Sequence, residues 1–383
     1  MPLLLFNSLS RQKEEFKTIM PQQATMYVCG ITPNNAAHLG HAFTYVSFDV
    51  LVRYLRFKKY EVNYLQNATD INDSDDVIIQ AQKANRTWEQ EASHWISYFH
   101  KQMDALCVLR PTKYVLATSV IDKIIVINSE LFQKGFAYES GGNLYYEINK
   151  FKNYGVLSKF TREQMAVLAR ERGNNTEDKN KKNPLDFVLW YGDKREPNWG
   201  SPWGVGRPGW HIECSSMILE YLGSCIDVHG GGRDLIYPHH ESEIAQSESY
   251  TNEKFVNTWM HTGMVLYEGE KMSKSLNNLV LISDLLENYS PNAIRWLLLS
   301  HHYRSPWEFE EYDLVQIEKK VEHISREMKG IKKNEHEIVP EFENLMNDDM
   351  NTPKTLELVE RLMSEEKKEQ ALAILEILGF SFK

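Results

Sequence analysis

Along the first seventy residues, segments typical of strands alternate with a segment that has apolar residues at helical spacing. The stretch TMYVCGI at 25–31 is rich in residues that favour strands and is followed by turn signals, so it predicts a buried strand. Residues 41–60 carry apolar side chains at helical spacing, with Arg and Lys near the end, which predicts a helix. A second strand is predicted at 61–70. Strand, helix and strand in this order form the unit of a parallel sheet.

The remaining pattern predicts more helices, a polar middle and a helical end. We predict helices at 76–108 and 118–135, a hairpin strand at 141–148, a surface loop at 172–183, a long Gly/Pro/Trp loop at 192–209, and strand, glycine turn and helix at 226–250. Helices dominate from 291 onward, with a break at 347–353. The order predicts an α/β fold, a Rossmann-type doubly wound parallel sheet with an insertion and a C-terminal helical bundle.

Composition places the chain among ordinary globular proteins. Apolar residues make up 42% of the 383 positions and charged residues 25%. A formal charge of −10 gives no general attraction to nucleic acid, although a local basic patch still could. Four scattered cysteines make no disulfide framework, and the pattern shows neither a signal peptide nor a membrane-spanning run. We expect a cytoplasmic protein without a membrane partner, and a monomer.

The motif HLGH at 38–41 places two imidazoles three residues apart at the predicted start of the first long helix. Such residues share a helix face, and a helix N-terminus favours phosphate. Imidazole donors there can stabilise the charge of a phosphate group during its transfer. Gly40 leaves room for a ligand ring against the backbone. Two surface histidines at a helix start are the alternative interpretation of this motif alone.

A second motif, KMSKS at 271–275, follows much later in the chain. Lys271 and Lys274 are two mobile ammonium groups that suit a pyrophosphate leaving group, although a single Lys-x-x-Lys pair is usually solvated surface. HLGH and KMSKS in this order, on a β-α-β background, resemble the HIGH and KMSKS signatures of class I aminoacyl-tRNA synthetases. The resemblance implies a site that forms an adenylate from ATP with Mg²⁺, with His38, His41, Lys271 and Lys274 as catalytic residues.

Four residues of types that bind zinc are widely separated in the sequence: Cys29, Cys214, His239 and Glu243. His239 and Glu243 are one helical turn apart, so both can approach one point. The spacing is not that of a short zinc finger, and buried free cysteines are the usual alternative. Spacing therefore leaves both interpretations open.

The sequence around these residues resembles the zinc and amino-acid site of cysteinyl-tRNA synthetases, in the strings MYVCGIT, GRPGWHIECS, HGGGRDL and PHHESEIAQS. The resemblance implies that the four residues bind Zn²⁺. It also implies that substrate cysteine completes the zinc shell through sulfur, which serine cannot match. The contacts to cysteine would then come from Cys29, Asn67, Thr69, Trp210 and Asp234.

The same resemblance implies a set of ATP and adenylate contacts at the two motifs and the glycine-rich strand end. These are Gly30, Ile31, Thr32, His38, Gly40, His41, Thr44, Gly232, Arg233, Asp234, Val265, Lys271, Met272, Ser273, Lys274 and Ser275. We interpret His240 as a residue behind the zinc ligands or at the surface, and Cys107 and Cys225 as structural.

Two acceptors for the activated cysteine remain open. Gly-Ile-Thr-Pro at 30–33, the segment 171–176 and HHYRSPWEFEE at 301–311 resemble the mycothiol-pathway ligase, which joins cysteine to the amine of glucosaminyl-inositol. We predict this cysteine–amine ligase, with an aminosugar as partner. The alternative is a cysteine–tRNA ligase, since NDDMNTP at 347–353 and the segment around Glu243 resemble that family. The chain is expected to lack its anticodon-binding domain, and a non-catalytic binding module is a third class.

The resemblance also predicts how the chain is divided. The expected parts are 1–120, the first half of the catalytic domain; 121–200, a connective insertion; 201–290, the second half with the KMSKS loop; and 291–383, a helical C-terminal domain. An acceptor amine must lose a proton, and Asp234 and Glu213 are candidate bases. The loop at 192–209 is a candidate cover for the site.

Overall fold

The computed structural model describes residues 1–272, 276, 278–331 and 338–382. In these ranges the strands are β1 (Leu4–Asn7), β2 (Gln12–Glu15), β3 (Gln23–Ile31), β4 (Glu61–Ala68), β5 (Lys113–Leu116), β6 (Ala137–Ser140), β7 (Asn143–Tyr146), β8 (Phe187–Gly192), β9 (Trp199–Ser201), β10 (Gly204–Pro208), β11 (Ile226–Gly232), β12 (Val256–Thr262), β13 (Val265–Tyr267), β14 (Glu270–Lys271) and β15 (Trp307–Glu308). The helices are α1 (Leu39–Phe57), α2 (Asp76–Lys83), α3 (Trp88–Ala105), α4 (Ile121–Gln133), α5 (Arg162–Glu171), α6 (Trp210–Tyr221), α7 (Glu241–Thr251), α8 (Ile282–Asn288), α9 (Pro291–Leu299), α10 (Glu311–Glu327), α11 (Pro340–Asn347), α12 (Thr352–Ser364) and α13 (Lys368–Ile377). None of the helices in these ranges has the length and apolar character needed to cross a membrane.

The central sheet has five parallel strands in the order β12-β11-β3-β4-β5. The chain adds β4 and β5 on one side of β3 and later adds β11 and β12 on the other side. The winding direction therefore reverses between β3 and β11, and doubly wound folds bind their ligands at the carboxyl ends of the strands beside such a reversal. The predicted α/β fold with a doubly wound parallel sheet is confirmed.

Alternate side chains of β3 pack into two separate cores, as the two-residue period of a strand requires. Met26 and Val28 pack in the core that contains α1 and the C-terminal helices. Tyr27 and Cys29 pack in the core that contains α4, α6 and α7. Cys29 therefore lies on the sheet face that is covered by α6.

A second, antiparallel sheet separates the two halves of the parallel sheet in the sequence, with the order β6-β7-β8-β10-β9. The prediction of one long loop at 192–209 was wrong, because β9 and β10 lie within it. Gly204, at φ +104°, allows the tight turn between these strands. Gly and Pro residues in short strands hide the usual strand signal.

The single helix predicted at 76–108 is two helices, α2 and α3. Asn85 lies between them at φ +52°, and the Thr87 hydroxyl accepts a hydrogen bond from the Gln90 N–H at 3.3 Å. The Gln90 side chain in turn accepts from the Thr87 N–H at 3.0 Å. This capping box starts a new helix where the apolar period alone suggested continuation.

The glycine turn predicted within 226–250 was also wrong. Gly230, Gly231 and Gly232 lie inside β11 and pair with β12. A Cβ atom at Gly230 would come within 2.2 Å of the Phe48 ring of α1, so the glycine is required by the close approach of helix and strand.

The predicted helices from 291 onward and the break at 347–353 are confirmed by α9 to α13. The buried Asp349, at φ +61°, lies in this break. Its carboxylate accepts hydrogen bonds from the Phe6 N–H at 2.8 Å, the Tyr303 hydroxyl at 2.7 Å and the Arg304 Nε at 2.6 Å. Asp349 thus joins the start of the chain, the segment before β15 and the C-terminal helices.

Candidate metal and adenylation site

Four donor side chains from three elements meet at the carboxyl end of β3. Cys29 is near the end of β3, Cys214 is in the first turns of α6, His239 precedes α7 and Glu243 lies within α7. One donor atom from each lies within 4.8 Å of the others, and all four residues are buried. The predicted metal ligands are therefore brought together; we name them the Cys29 tetrad.

The geometry of the Cys29 tetrad fits a tetrahedral metal ion. The Sγ atoms of Cys29 and Cys214 are 4.0 Å apart. Two thiolates that share one zinc at bond lengths of about 2.3 Å are separated by about 3.8 Å. Glu243 Oε1 lies 3.1 Å from His239 Nε2 and 3.9 Å from Cys29 Sγ. The donor set of two sulfurs, one imidazole and one carboxylate is one that zinc accepts.

Burial opposes the charged form of each of these groups. The pKa of the Cys29 thiol is raised well above its usual value by burial and by its contact with Cys214. Burial likewise raises the pKa of Glu243. The pKa of His239 is lowered by burial and by the neighbouring His211 and His229. A divalent cation favours the thiolate, carboxylate and neutral imidazole that ligation requires, so the tetrad suits such an ion.

Further histidines surround the Cys29 tetrad. His240 Nε2 lies 3.3 Å from Cys29 Sγ, and His240 Nδ1 lies 2.8 Å from His261 Nε2. His229 Nε2 lies 2.9 Å from Glu243 Oε2. Of the two interpretations of His240, the surface position was wrong, since His240 is completely buried, and a position behind the ligands agrees with its contact with Cys29. Cys29, His229, His240 and Glu243 form a second group of donors that meets the same distance limit and shares two members with the tetrad.

Sequence reasoning missed three of these histidines: His211, His229 and His261. His211 Nδ1 lies 2.9 Å from His239 Nδ1, and burial lowers the pKa of His211 to about 3. A neutral imidazole beside a ligand histidine can fix the tautomer of that ligand. His211 follows Trp210 in the string GRPGWHIECS, and His229 begins the string HGGGRDL, so the family resemblance was the sequence signal that could have found both.

The proposed cysteine contacts lie beside the tetrad at the end of β4. The Asn67 side chain accepts a hydrogen bond from the Gly30 N–H at 2.7 Å, and the Thr69 N–H donates to the Ile31 carbonyl at 2.9 Å. Both Asn67 and Thr69 are buried. These bonds hold the ends of β3 and β4 together next to Cys29.

Two more predicted cysteine contacts come from the other half of the sheet. Trp210 is the first residue of α6, and its ring stacks on that of His239 with 4.5 Å between centroids. Asp234 follows β11, and Arg172 Nη1 lies 3.2 Å from its Oδ2. The aromatic ring and the carboxylate therefore lie at the end of the sheet where the tetrad is formed.

The helix α1 begins at the HLGH motif, directly after β3. His38 caps the helix: its Nδ1 accepts a hydrogen bond from the Gly40 N–H at 3.1 Å. His41 Nδ1 accepts one from the His38 N–H at 3.3 Å, and the two rings are 3.9 Å apart. In a neutral ring whose Nδ1 accepts, the hydrogen is on Nε2, so each imidazole presents an Nε2 donor at the helix N-terminus. Thr44, one turn later, bonds to the Thr262 hydroxyl at 2.8 Å and so ties α1 to β12.

The KMSKS segment is connected to the HLGH motif by the backbone that follows it. The Leu39 N–H donates to the Val280 carbonyl at 2.8 Å, and the Ile282 N–H donates to the Ala37 carbonyl at 3.1 Å. Lys271 is exposed on β14 and Met272 is buried. Ser273, Lys274 and Ser275 were also predicted as site residues and lie outside the described residues.

The remaining predicted nucleotide contacts lie at the carboxyl ends of β3 and β11 and shortly after β12. Gly30, Ile31 and Thr32 end β3 or follow it, Gly232 and Arg233 are at the end of β11, and Val265 starts β13. All of these positions are on the carboxyl side of the parallel sheet, beside the reversal between β3 and β11, where a nucleotide is expected.

Of the two candidate bases, Glu213 is the less suitable. It is completely buried, and neither of its carboxyl oxygens has a hydrogen-bond partner among the described residues. Burial, with a contribution from Cys214, raises its pKa well above the usual value. A carboxyl group held in its acid form cannot accept a proton near neutral pH.

Comparison with known proteins agrees with this geometry. Residues 15–319 match the family model for the catalytic domain of tRNA synthetases class I (C). The chain is 44% identical to the cysteine–tRNA ligase of Shewanella sediminis over 370 residues, which is 95% of this chain and 79% of that protein. It is 45% identical to the cysteine–tRNA ligase of Proteus mirabilis over 359 residues, which is 92% of this chain and 76% of that protein.

A solved structure shows the same fold at low sequence identity. The Mycobacterium tuberculosis methionyl-tRNA synthetase in complex with methionyl-adenylate matches with a TM-score of 0.61 and 16% identity, over 93% of this chain and 82% of that one. The likeness concerns the fold alone.

The doubly wound sheet has HLGH at its winding reversal, bonded to the backbone that follows KMSKS. Together with the family match, it defines the catalytic fold of a class I aminoacyl-tRNA synthetase. Within that class, the chain belongs to the class I (C) family, whose relatives named above are cysteine–tRNA ligases. It is an enzyme, an ATP-dependent cysteine ligase that forms AMP and pyrophosphate. These relatives do not support the predicted resemblance to the mycothiol-pathway ligase; they favour tRNA over an aminosugar as the acceptor.

Proposed function

We propose that the chain is a cysteine–tRNA ligase. One observation carries the choice of amino acid: the buried Cys29 tetrad, with its two thiols, at the nucleotide-binding end of the sheet. The choice of acceptor is supported by relatives of 44% and 45% identity that cover more than nine-tenths of this chain. The aminosugar acceptor is less well supported, because these relatives are cysteine–tRNA ligases.

In the proposed site, Cys29, Cys214, His239 and Glu243 hold a zinc ion. When bound, zinc supplies a thiophilic position for the sulfur of the substrate, which a serine hydroxyl cannot fill equally well. Thr69, Asn67, Trp210 and Asp234 bind the remainder of the cysteine. Asp234 is suited to an ammonium group because it carries a carboxylate; its Oδ2 pairs with Arg172 Nη1 at 3.2 Å.

The first reaction joins the cysteine carboxylate to the α-phosphate of ATP. A carboxylate oxygen forms a bond to the α-phosphorus, the bond to the β-phosphate oxygen breaks, and pyrophosphate leaves. The Nε2 donors of His38 and His41 and the N-terminus of α1 stabilise the charge that develops on the phosphate oxygens. Lys271 and Lys274 bind the pyrophosphate, with Mg²⁺ as the counter-ion of the nucleotide.

In the second reaction a terminal ribose hydroxyl of tRNA attacks the carbonyl carbon of the adenylate. The bond to AMP breaks, AMP leaves with its phosphate charge, and the hydroxyl proton is released. The α-phosphate of the leaving AMP is itself a nearby base, so this acceptor needs a protein base less than an ammonium acceptor does. Asp234 stays a candidate base.

The test is an acceptor assay on the full chain with zinc. We expect ATP–pyrophosphate exchange that depends on cysteine, absent with serine, and transfer of radiolabelled cysteine to a tRNA with the cysteine anticodon. Exchange with formation of an amide from glucosaminyl-inositol, and no tRNA charging, would instead establish the amine-ligase function. Absence of cysteine-dependent ATP–pyrophosphate exchange would contradict both the tRNA-ligase and the amine-ligase function.

The division of the chain follows the same proposal. The two halves of the catalytic domain are residues 1–120 and 201–290, the connective insertion is 121–200, and the helical C-terminal domain is 291–383. A monomeric state and a cytoplasmic location also stay predictions.

A further inference from the structure

Four charged side chains join the loop after β4 to the antiparallel sheet. Asp75 Oδ1 lies 2.9 Å from Arg207 Nη2, and Asp75 Oδ2 lies 3.0 Å from Arg195 Nη1. Asp193 Oδ2 lies 2.5 Å from Arg207 Nη2 and 2.7 Å from Arg195 Nη2. We call these residues (Asp75, Asp193, Arg195 and Arg207) the Asp75 network.

The two arginines of this network differ in burial. The Arg207 side chain is 1% exposed, whereas that of Arg195 is 65% exposed. Arg207 Nε and Nη1 have no hydrogen-bond partner among the described residues, so its charge depends on Asp75 and Asp193. Exposed ion pairs contribute little, but removing one partner of a buried pair leaves an uncompensated charge. Asp193 is the closer and more buried partner of Arg207, but it follows β8 of the same sheet. The link between Asp75 and Arg207 is the one that joins this sheet to the loop after β4.

This link connects two walls of the proposed cysteine pocket. Asp75 lies in the loop that begins at Thr69, and Arg207 lies on β10, which leads directly into α6 and Trp210. The backbone between Arg207 and Trp210 is constrained at two residues. The ring of Pro208 fixes its φ angle. A Cβ atom at Gly209 would come within 2.0 Å of the Val188 carbonyl oxygen, so the strands are closely packed there. A displacement of Arg207 is thus passed on to Trp210.

A neighbouring acid confirms how close the two segments are. Burial raises the pKa of Asp73 to about 6, an effect that the backbone N–H of Trp210 and the charge of Arg207 partly oppose. Asp73 is on the same loop as Asp75 and Thr69, and its pKa responds to the segment that carries Arg207 and Trp210.

We propose that Asp75 is a positioning residue for cysteine: by holding Arg207 it fixes the distance between Thr69 and Trp210 on opposite sides of the substrate. This inference rests on the proposed function and deepens it. Among the described residues, the side-chain hydrogen bonds of the two arginines run only to Asp75 and Asp193, so we expect the effect of the network on the amino acid and not on ATP.

The test compares Asp75→Asn with the wild-type enzyme, both loaded with zinc, in cysteine-dependent ATP–pyrophosphate exchange. We expect the KM for cysteine to rise about tenfold, since small displacements of binding groups have effects of this order or more. The KM for ATP should change by less than about twofold. Asp76→Asn is the matched control, because Asp76 is the exposed neighbour of Asp75 and is outside the network; it should leave both constants unchanged.

A second variant separates positioning from loss of folding. The double variant Asp75→Asn/Arg207→Gln removes the link without leaving an unpaired buried charge, and we expect the same rise in the KM for cysteine with a normal zinc content. An unchanged KM for cysteine, or equal rises in both constants with a lower melting temperature, would overturn the inference. Absence of cysteine-dependent exchange in the wild-type enzyme would instead overturn the proposed function.

Discussion

At the residue scale, burial determines the chemistry of the Cys29 tetrad. The pKa of Cys29 and that of Glu243 are both raised in the ion-free protein, chiefly by burial. Binding of zinc must displace protons from such groups, so metal affinity should fall as the pH is lowered. The two thiols and the carboxyl group are consequently needed for their charge as well as for their geometry.

Replacing one ligand tests this requirement. We expect Cys214→Ser to lower zinc affinity by at least about a hundredfold, since even partners behind the ligands can cost that much. Zinc content after dialysis, measured by atomic absorption, is the direct readout. Cys225→Ser is the matched control, because Cys225 lies outside the tetrad. Full zinc retention by Cys214→Ser would contradict the proposed metal site.

Asp73 gives a pH prediction of known sign. Its folded-state pKa of about 6 is above the usual value of 3.8, so its contribution to stability is fully present below about pH 4 and is lost as the pH rises through about 6. Asp73→Asn cannot ionise. Its urea midpoint relative to wild type should therefore be higher at pH 7.5 than at pH 4.5, whereas a difference independent of pH would show that Asp73 is not desolvated.

The residue types of the metal site were visible in the sequence, but their convergence was not. Cys29 and Cys214 are separated by an entire inserted sheet, so spacing could not distinguish ligands from buried thiols. The family resemblance supplied that step. His229 and His261 stayed unrecognised because a histidine in a buried strand has no local pattern that separates a partner of a metal ligand from an ordinary core residue.

At the element scale, the site depends on how closely β3 and β4 approach each other. A Cβ atom at Gly30 would lie 1.5 Å from the carbonyl oxygen of Asn67, which is backbone and cannot move aside. Gly30 is thus required by strand packing directly beside Cys29. The β11–α1 contact at Gly230 imposes the same kind of requirement on the other half of the sheet.

Gly30→Ala should therefore destabilise the protein by roughly 2–3 kcal/mol, the upper part of the range for overpacked sites. It should also reduce cysteine activation, because it displaces the end of β3. Gly200→Ala is the control: nothing lies within 4 Å of its added Cβ, and its stability should be near wild type. Thermal unfolding of both variants is the measurement. Equal melting temperatures would show that the strands can separate without cost.

Local signals explain which elements could be predicted. The long strands and α1 follow strong periods and were found within a few residues. The break between α2 and α3 depends on the Thr87 capping box, which the apolar period does not contain. The strands β9 and β10 are short and rich in glycine, so they are recognised by their pairing, β10 with β8 and β9 with β10, and not by their own residues.

At the scale of the whole molecule, Asp349 joins parts of the chain that are far apart in sequence. It contacts Phe6 of β1, and both Tyr303 and Arg304 before β15. This segment continues into β15, which pairs with β13. In the sequence, β13 precedes the KMSKS motif. This buried carboxylate therefore adds a polar link between the break in the C-terminal helices and the strands beside the adenylation site, alongside the core that α1 shares with those helices.

Asp349→Asn should lower the free energy of unfolding by roughly 2 kcal/mol, because it weakens several buried, charge-assisted hydrogen bonds at once. Asp348→Asn is the adjacent control. Asp348 is half exposed and pairs with Lys13, so its loss should cost less than about 1 kcal/mol. Urea unfolding of both variants gives the comparison, and similar losses in the two would contradict the role assigned to Asp349.

The distance along the chain between Cys29 and Glu243 has a consequence for biosynthesis. A nascent polypeptide shorter than 243 residues lacks at least one ligand, so it cannot hold the ion in its final coordination. Zinc retention would then report that the two halves of the parallel sheet have joined. An enzyme nicked within the inserted sheet and supplied as two fragments should acquire the ion only on reassembly, which makes metal stoichiometry a direct gauge of fragment complementation.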